Sequence, residues 1–210
     1  MSRTTLCLLI FMLNFSIMPF HVANGEAAVK RLVILGDSLT EGLGVARDDA
    51  YPAQLEKKIA AAGGAGKWEV VNSGVSGSTS ASAVSRMNWL LKRKPDLLLL
   101  ELGANDGLRG LPVKDMEKNI AAAIELAQKN SVKIILFGMQ VPPNYGKEYS
   151  RDFAAVFPRL AARFKIPLVP FFLEAVAGKP ELNQADGIHP NAKGHALVAD
   201  TVYRAIQKQL

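Results

Sequence analysis

At 210 residues, the chain has room for one large domain with a full hydrophobic core. Its formal charge of +6 is scattered, apart from Lys92-Arg93-Lys94 at a predicted helix end, where the helix dipole favours cations anyway. With no nucleic-acid-binding motif beside that charge, no nucleic-acid partner is expected, and a single cysteine excludes a disulfide framework or a Cys/His metal site.

The chain opens like a secretory signal. Arg3 supplies the positive region, Leu6 to Ile17 is mostly apolar, and Pro19 precedes the small residues Ala23-Asn24-Gly25-Glu26-Ala27-Ala28. The apolar run is short for a bilayer span and is interrupted by Asn14. The expected division is therefore a signal peptide over 1–27 and one domain over 28–210, secreted or periplasmic after cleavage. Cys7 falls inside the signal, so the mature chain would carry no thiol.

Leu32 to Leu35 reads as a buried strand, broken by the turn Gly36-Asp37-Ser38. A helix is predicted from Tyr51 to Ala62, with Pro52 in its first turn and Gly63-Gly64 at its end. Glu69 to Asn72 is a short strand, followed by the small-residue turn Ser73 to Ser78. A second helix, about 80–94, places Val84, Met87, Leu90 and Leu91 on one face, and Pro95 ends it. Asp96 to Glu101 is the most apolar strand and leads into Leu102-Gly103-Ala104-Asn105-Asp106-Gly107.

Beyond it come a helix over Met116–Lys129, a strand over Val132–Phe137 and a loop through Pro142-Pro143-Asn144-Tyr145-Gly146. A helix over Arg151–Lys165, kinked at Pro158, precedes a short strand over Pro167–Phe171. The last helix runs from Pro190 to about Lys208. Strands alternating with helices imply an α/β domain: about five parallel strands covered by helices on both faces.

Ser38 lies just past the carboxyl end of a strand, the rim where open α/β sheets bind ligands. By itself it could be a helix cap. A serine nucleophile needs a base, and the mature chain offers only His189 and His195. In Asp186-x-x-His189-Pro190, the carboxylate can fold back onto the imidazole Nδ1 and leave Nε2 for the serine proton. Pro190 would sit in the first helical position and make His189 the N-cap. His195, without a carboxylate at that spacing, reads as structural. For the oxyanion formed by attack on a carbonyl, the candidates are the Gly77 N–H and the Asn105 side-chain amide. Glycine and asparagine also serve plain turns.

These blocks carry a family resemblance. Gly36-Asp37-Ser38-Leu39, the turn ending at Gly77, Gly103-Ala104-Asn105-Asp106 and Asp186-Gly187-Ile188-His189-Pro190-Asn191 resemble, in order and spacing, the four blocks of the SGNH (GDSL) hydrolases. The resemblance covers about Arg31 to the C-terminus. It is nearest to the secreted thioesterase I, lysophospholipase and arylesterase group, through Glu101 to Gly110, Pro143 to Gly146 and Pro170-Phe171-Phe172. It implies a three-layer flavodoxin-like fold, a triad of Ser38, Asp186 and His189, and oxyanion donors from Ser38, Gly77 and Asn105, with Asp37 supporting the nucleophile turn. Ser78 departs from the pattern, because relatives often carry an acidic residue after the glycine; that bears on how this loop is held.

Competing motifs fail. The chain has no G-x-S-x-G, no third glycine after Gly42-Leu43-Gly44, no phosphate loop around Gly66-Lys67 and no H-E-x-x-H, so neither cofactor nor metal is expected. The apolar loops suggest a groove for an acyl chain, with Leu108, Pro143, Tyr145 and Phe172 as lining residues. The expected partner is a small acyl ester or thioester, with lysophospholipid or another membrane-surface substrate included. A carbohydrate O-deacetylase and a non-catalytic lipid- or glycan-binding module are the alternatives.

Overall fold

In the computed structural model, which describes residues 28–210, five strands pair in parallel in the order β2-β1-β3-β4-β5. They are β1 (Lys30–Gly36), β2 (Trp68–Gly74), β3 (Leu97–Leu100), β4 (Lys133–Phe137) and β5 (Leu168–Val169). The predicted signal lies outside the described residues. Leu32–Leu35 and Leu97–Leu100 pair along the centre of the sheet and are wholly buried, as continuous apolar runs in a sheet covered on both faces should be.

Among the described residues, seven α-helices surround the sheet: α1 (Ser38–Glu41), α2 (Tyr51–Ile59), α3 (Ala83–Leu91), α4 (Ala104–Leu108), α5 (Val113–Lys129), α6 (Lys147–Phe164) and α7 (Ala192–Ile206). α2 packs with α7, while α3 packs with α5 and α5 with α6. With right-handed crossovers, that order puts α2 and α7 on one face and the other long helices on the opposite face. The chain reverses direction across the sheet between β1 and β3, which opens a crevice at their carboxyl ends.

Several boundaries differ from expectation for local reasons. α3 follows a 3-10 turn at Ser80–Ser82 and buries Ala83, Met87 and Leu90, whereas Val84 is exposed. It stops at Leu91 because Lys94 takes a left-handed φ of 51° ahead of Pro95. α6 begins four residues early and continues on both sides of Pro158, which lies on its exposed face. Phe153, Val156, Phe157 and Leu160 form its buried stripe. α7 starts at Ala192 rather than Pro190. Asn191 is its N-cap, accepting from the Gly194 N–H at 3.1 Å, because Pro190 is held in a bridge to Asn183.

Candidate active site

β1 ends at Gly36, where any side chain would collide with those of Thr40 and Glu101. Asp37 then caps α1, its Oδ1 accepting the Leu39 N–H at 3.0 Å. Ser38 is the first residue of this single helical turn and is nearly buried. His189 comes from the far end of the chain, on the loop before α7. Its Nε2 is 2.9 Å from Ser38 Oγ, and its Nδ1 is 2.7 Å from Asp186 Oδ2.

Asp186 is fixed from within its own turn. Its Oδ1 accepts the backbone N–H groups of Ile188 and His189, both at 3.0 Å. Burial pushes its pKa up, but the backbone and ring hydrogen bonds from His189, with the Ile188 N–H, outweigh this and hold it at about 2. The carboxylate therefore stays ionised and directs the Nδ1 proton. A serine–imidazole–carboxylate line results, able to move the hydroxyl proton onto Nε2. His189 is not the helix cap anticipated from Pro190; the turn Asp186–His189 precedes the cap, and this lets the ring reach over β1.

Of the remaining predicted residues, Asn105 ties the turn that holds Gly77 to Asp37, the neighbour of Ser38. Asn105, on the short α4 after β3, donates from Nδ2 to Asp37 Oδ2 and to the Ser78 carbonyl, each at 3.1 Å. Gly77 has φ +74° and sits in the exposed turn after β2. Among the described residues, neither the Ser38 nor the Gly77 N–H has a hydrogen-bond acceptor. Both amides are thus available to an incoming oxyanion, which must compete for the Asn105 amide.

Beneath the nucleophile lies a buried polar cluster to which the sequence motifs assigned no role. Glu101 Oε2 accepts the Thr40 hydroxyl at 2.7 Å and the Asp37 N–H at 3.2 Å, and Tyr51 Oη is 2.8 Å from the same hydroxyl. Burial, then the charge of Asp37, pushes the Glu101 carboxyl well above the usual range; the two hydrogen bonds and Arg86 oppose this. Burial likewise raises Asp37 to about 6, against the pull of Leu39 N–H, Asn105, His189 and Arg86. The available signal was one glutamate closing a run of four leucines. His195 is structural, as anticipated: it is buried, and its Nδ1 accepts the Tyr51 N–H at 3.3 Å.

The groove candidates separate. Tyr145 Oη donates to the Leu108 carbonyl at 2.8 Å, so the loops after β3 and β4 meet, with Pro143 exposed beside them. Phe172 does not belong there. It is 1% exposed, packed edge-on to Tyr51 and stacked on Phe137, because the chain turns inward after β5 to close the core.

Residues 34–197 match the GDSL-like lipase/acylhydrolase family. The chain belongs to that family. This GDSL-family chain is 39% identical over 186 residues to the esterase TesA of Pseudomonas aeruginosa, covering 88% of the chain and 92% of the relative. It is 38% identical over 182 residues to thioesterase 1/protease 1/lysophospholipase L1 of Escherichia coli K12, covering 86% of the chain and 85% of the relative. Among solved structures, the esterase EstA from Pseudoalteromonas sp., inhibited by monoethylphosphonate, superposes with a TM-score of 0.81 at 36% identity, over 86% of this chain and 98% of EstA. GDSL-family membership and the five-stranded parallel sheet agree with the fold class expected from the sequence.

Proposed function

We propose that this GDSL-family hydrolase cleaves acyl esters and thioesters through an acyl-enzyme on Ser38. The observation that carries the reading is the unbroken line from Ser38 Oγ through the His189 ring to Asp186, at 2.9 and 2.7 Å. His189 Nε2 takes the hydroxyl proton as Oγ attacks the acyl carbon. The oxyanion is met by the N–H groups of Ser38 and Gly77 and by the Asn105 amide. As the intermediate collapses, His189 returns the proton to the departing alkoxide or thiolate. Water, deprotonated by the same nitrogen, then attacks the acyl-enzyme, and collapse restores the Ser38 hydroxyl and releases the acid. Asp186 keeps its charge throughout and steadies the imidazolium.

Leu108 and Tyr145, joined at 2.8 Å on the loops beyond β3 and β4, are the side chains we assign to an acyl groove, a reading that favours substrates with more than an acetyl group. The names of the relatives support esters, thioesters and lysophospholipids as the substrate range. The amino-terminal pattern supports export to the periplasm or beyond. A fluorophosphonate probe, with rates on acetyl to palmitoyl esters and the matching thioesters, tests the proposal. Ser38 should be labelled, and rates should rise beyond acetyl. An acetyl-only profile would point to an O-deacetylase, and absence of labelling to a binding module.

A further inference from the structure

The turn that presents Gly77 has little backbone support. Ser78 N–H donates to the Val75 carbonyl at 3.1 Å, closing a four-residue turn with Gly77 in its third position at φ +74°, a conformation that favours glycine. Val75, Ser76 and Gly77 are all exposed. Such a segment opens easily, and a glycine adds conformational freedom. An oxyanion donor, however, acts only when held at a fixed position.

Three side chains from outside the turn grip three successive residues. Glu41, at the end of α1, accepts the Ser76 N–H at 2.7 Å and the Ser76 hydroxyl, both on Oε2. Arg109, just past α4, donates from Nη2 to the Gly77 carbonyl at 3.0 Å. Asn105 donates to the Ser78 carbonyl. Glu41 shares the rigid turn of the nucleophile, since its N–H donates to the Asp37 carbonyl at 2.9 Å. β2 lies flush against that turn because Gly74 has no side chain to strike the backbone of Thr40 and Glu41. Among the described residues, neither Glu41 nor Arg109 forms an ion pair, so each charge is directed to the turn. Ionised partners make the stronger hydrogen bonds.

We propose that Glu41 and Arg109 are positioning residues: they clamp Ser76 and Gly77 from opposite ends and keep the Gly77 N–H aimed at the oxyanion. This rests on the reading of Gly77 as a donor in the proposed esterase. Loosening a donor should cost less than the roughly hundredfold or more that follows its removal.

The test uses Glu41→Ala, Glu41→Gln, Arg109→Ala and Ser38→Ala in the full chain. It reads kcat and KM on p-nitrophenyl butyrate and the inhibition constant of a trifluoromethyl ketone that forms a tetrahedral adduct. Glu41→Ala and Arg109→Ala should lower kcat roughly tenfold and weaken the ketone by a similar factor, with KM within about twofold. Glu41→Gln, whose amide oxygen accepts the same two donors, should recover most of both losses. Parental kcat and ketone affinity in both alanine variants overturns the clamp while a dead Ser38→Ala leaves the esterase standing. A loss confined to KM, or one that glutamine does not rescue, also overturns it. Parental turnover in Ser38→Ala would remove the esterase reading itself, and the clamp with it.

Discussion

Gln184 donates its side-chain amide to the carbonyl of Leu43 at 2.7 Å, tying the loop that carries His189 to the segment that follows Ser38. The same amide reaches the Pro190 carbonyl at 2.9 Å, and the Gln184 N–H donates to the His189 carbonyl at 2.8 Å. One residue thus braces the base from two sides and fastens it to the nucleophile's side of the crevice. Gln184→Ala should lower kcat/KM roughly tenfold, mainly through kcat, because a small misplacement of a general base is costly. Steady-state kinetics beside an unchanged circular dichroism spectrum checks this.

Within the triad, losses should be large and non-additive. Ser38→Ala and His189→Ala should each lower kcat by about 10⁴-fold or more, and the double variant by little beyond the worse single one. Asp186→Asn should cost roughly 10³- to 10⁴-fold, because the amide no longer selects the tautomer with the proton on Nδ1. Since Asp186 is held at about 2, its ionisation should not limit the rate anywhere above about pH 4. A pH–rate profile that acquires an acid limb from Asp186 in that range would contradict the geometry.

His195 links stability to pH. Burial, then the charge of nearby His189, lowers it from 6.5 to about 4, against a weak opposing pull from Asp49. Between those values the unfolded chain binds a proton that the folded chain does not, so the stability that His195 contributes falls as pH drops from 6.5 toward 4. The full effect is about 3 kcal/mol, since each tenfold change in proton affinity is worth about 1.4 kcal/mol. Asp37 and Glu101, both raised in the fold, contribute with the opposite sign in the same range. Urea unfolding across about pH 4 to 7 isolates His195 by difference: His195→Asn should show a flatter fall on acidification than the parent.

Glu101 should behave as a neutral acid. Glu101→Gln, which resembles the protonated form, should keep stability within about 1 kcal/mol. Glu101→Ala strands the Thr40 hydroxyl and the Asp37 N–H in a buried site and should cost about 2–4 kcal/mol. Urea midpoints of the two variants decide it, and equal losses would show that charge rather than shape is what the site requires.

A groove bounded by Leu108 and Tyr145 predicts a slope in acyl-chain length. Burial is worth about 0.8 kcal/mol per methylene, so kcat/KM should rise up to roughly fourfold for each of the first few added carbons. Leu108→Ser should flatten that rise. A profile indifferent to length from acetyl to octanoyl would mean that the acyl chain stays in water.

Turn and strand chemistry is written locally, and for that reason much of this protein could be read from its residues in order. The apolar runs 32–35 and 97–100 announced central strands, and Gly36-Asp37-Ser38, Asn105 and Asp186-x-x-His189 announced the groups that meet at their ends. The deceptive positions also had local causes: Pro190 looks like a helix start until its bridge to Asn183 is seen, and Phe172 looks like a loop aromatic until it stacks on Phe137. Nothing local could show that Gln184 would reach Leu43, that Glu41 would seize Ser76, or that Glu101 would lie beneath the nucleophile. Those contacts depend on how segments 35 to 141 residues apart are brought together at the reversal of strand order, and each pairs a polar group with a partner that no short-range pattern specifies.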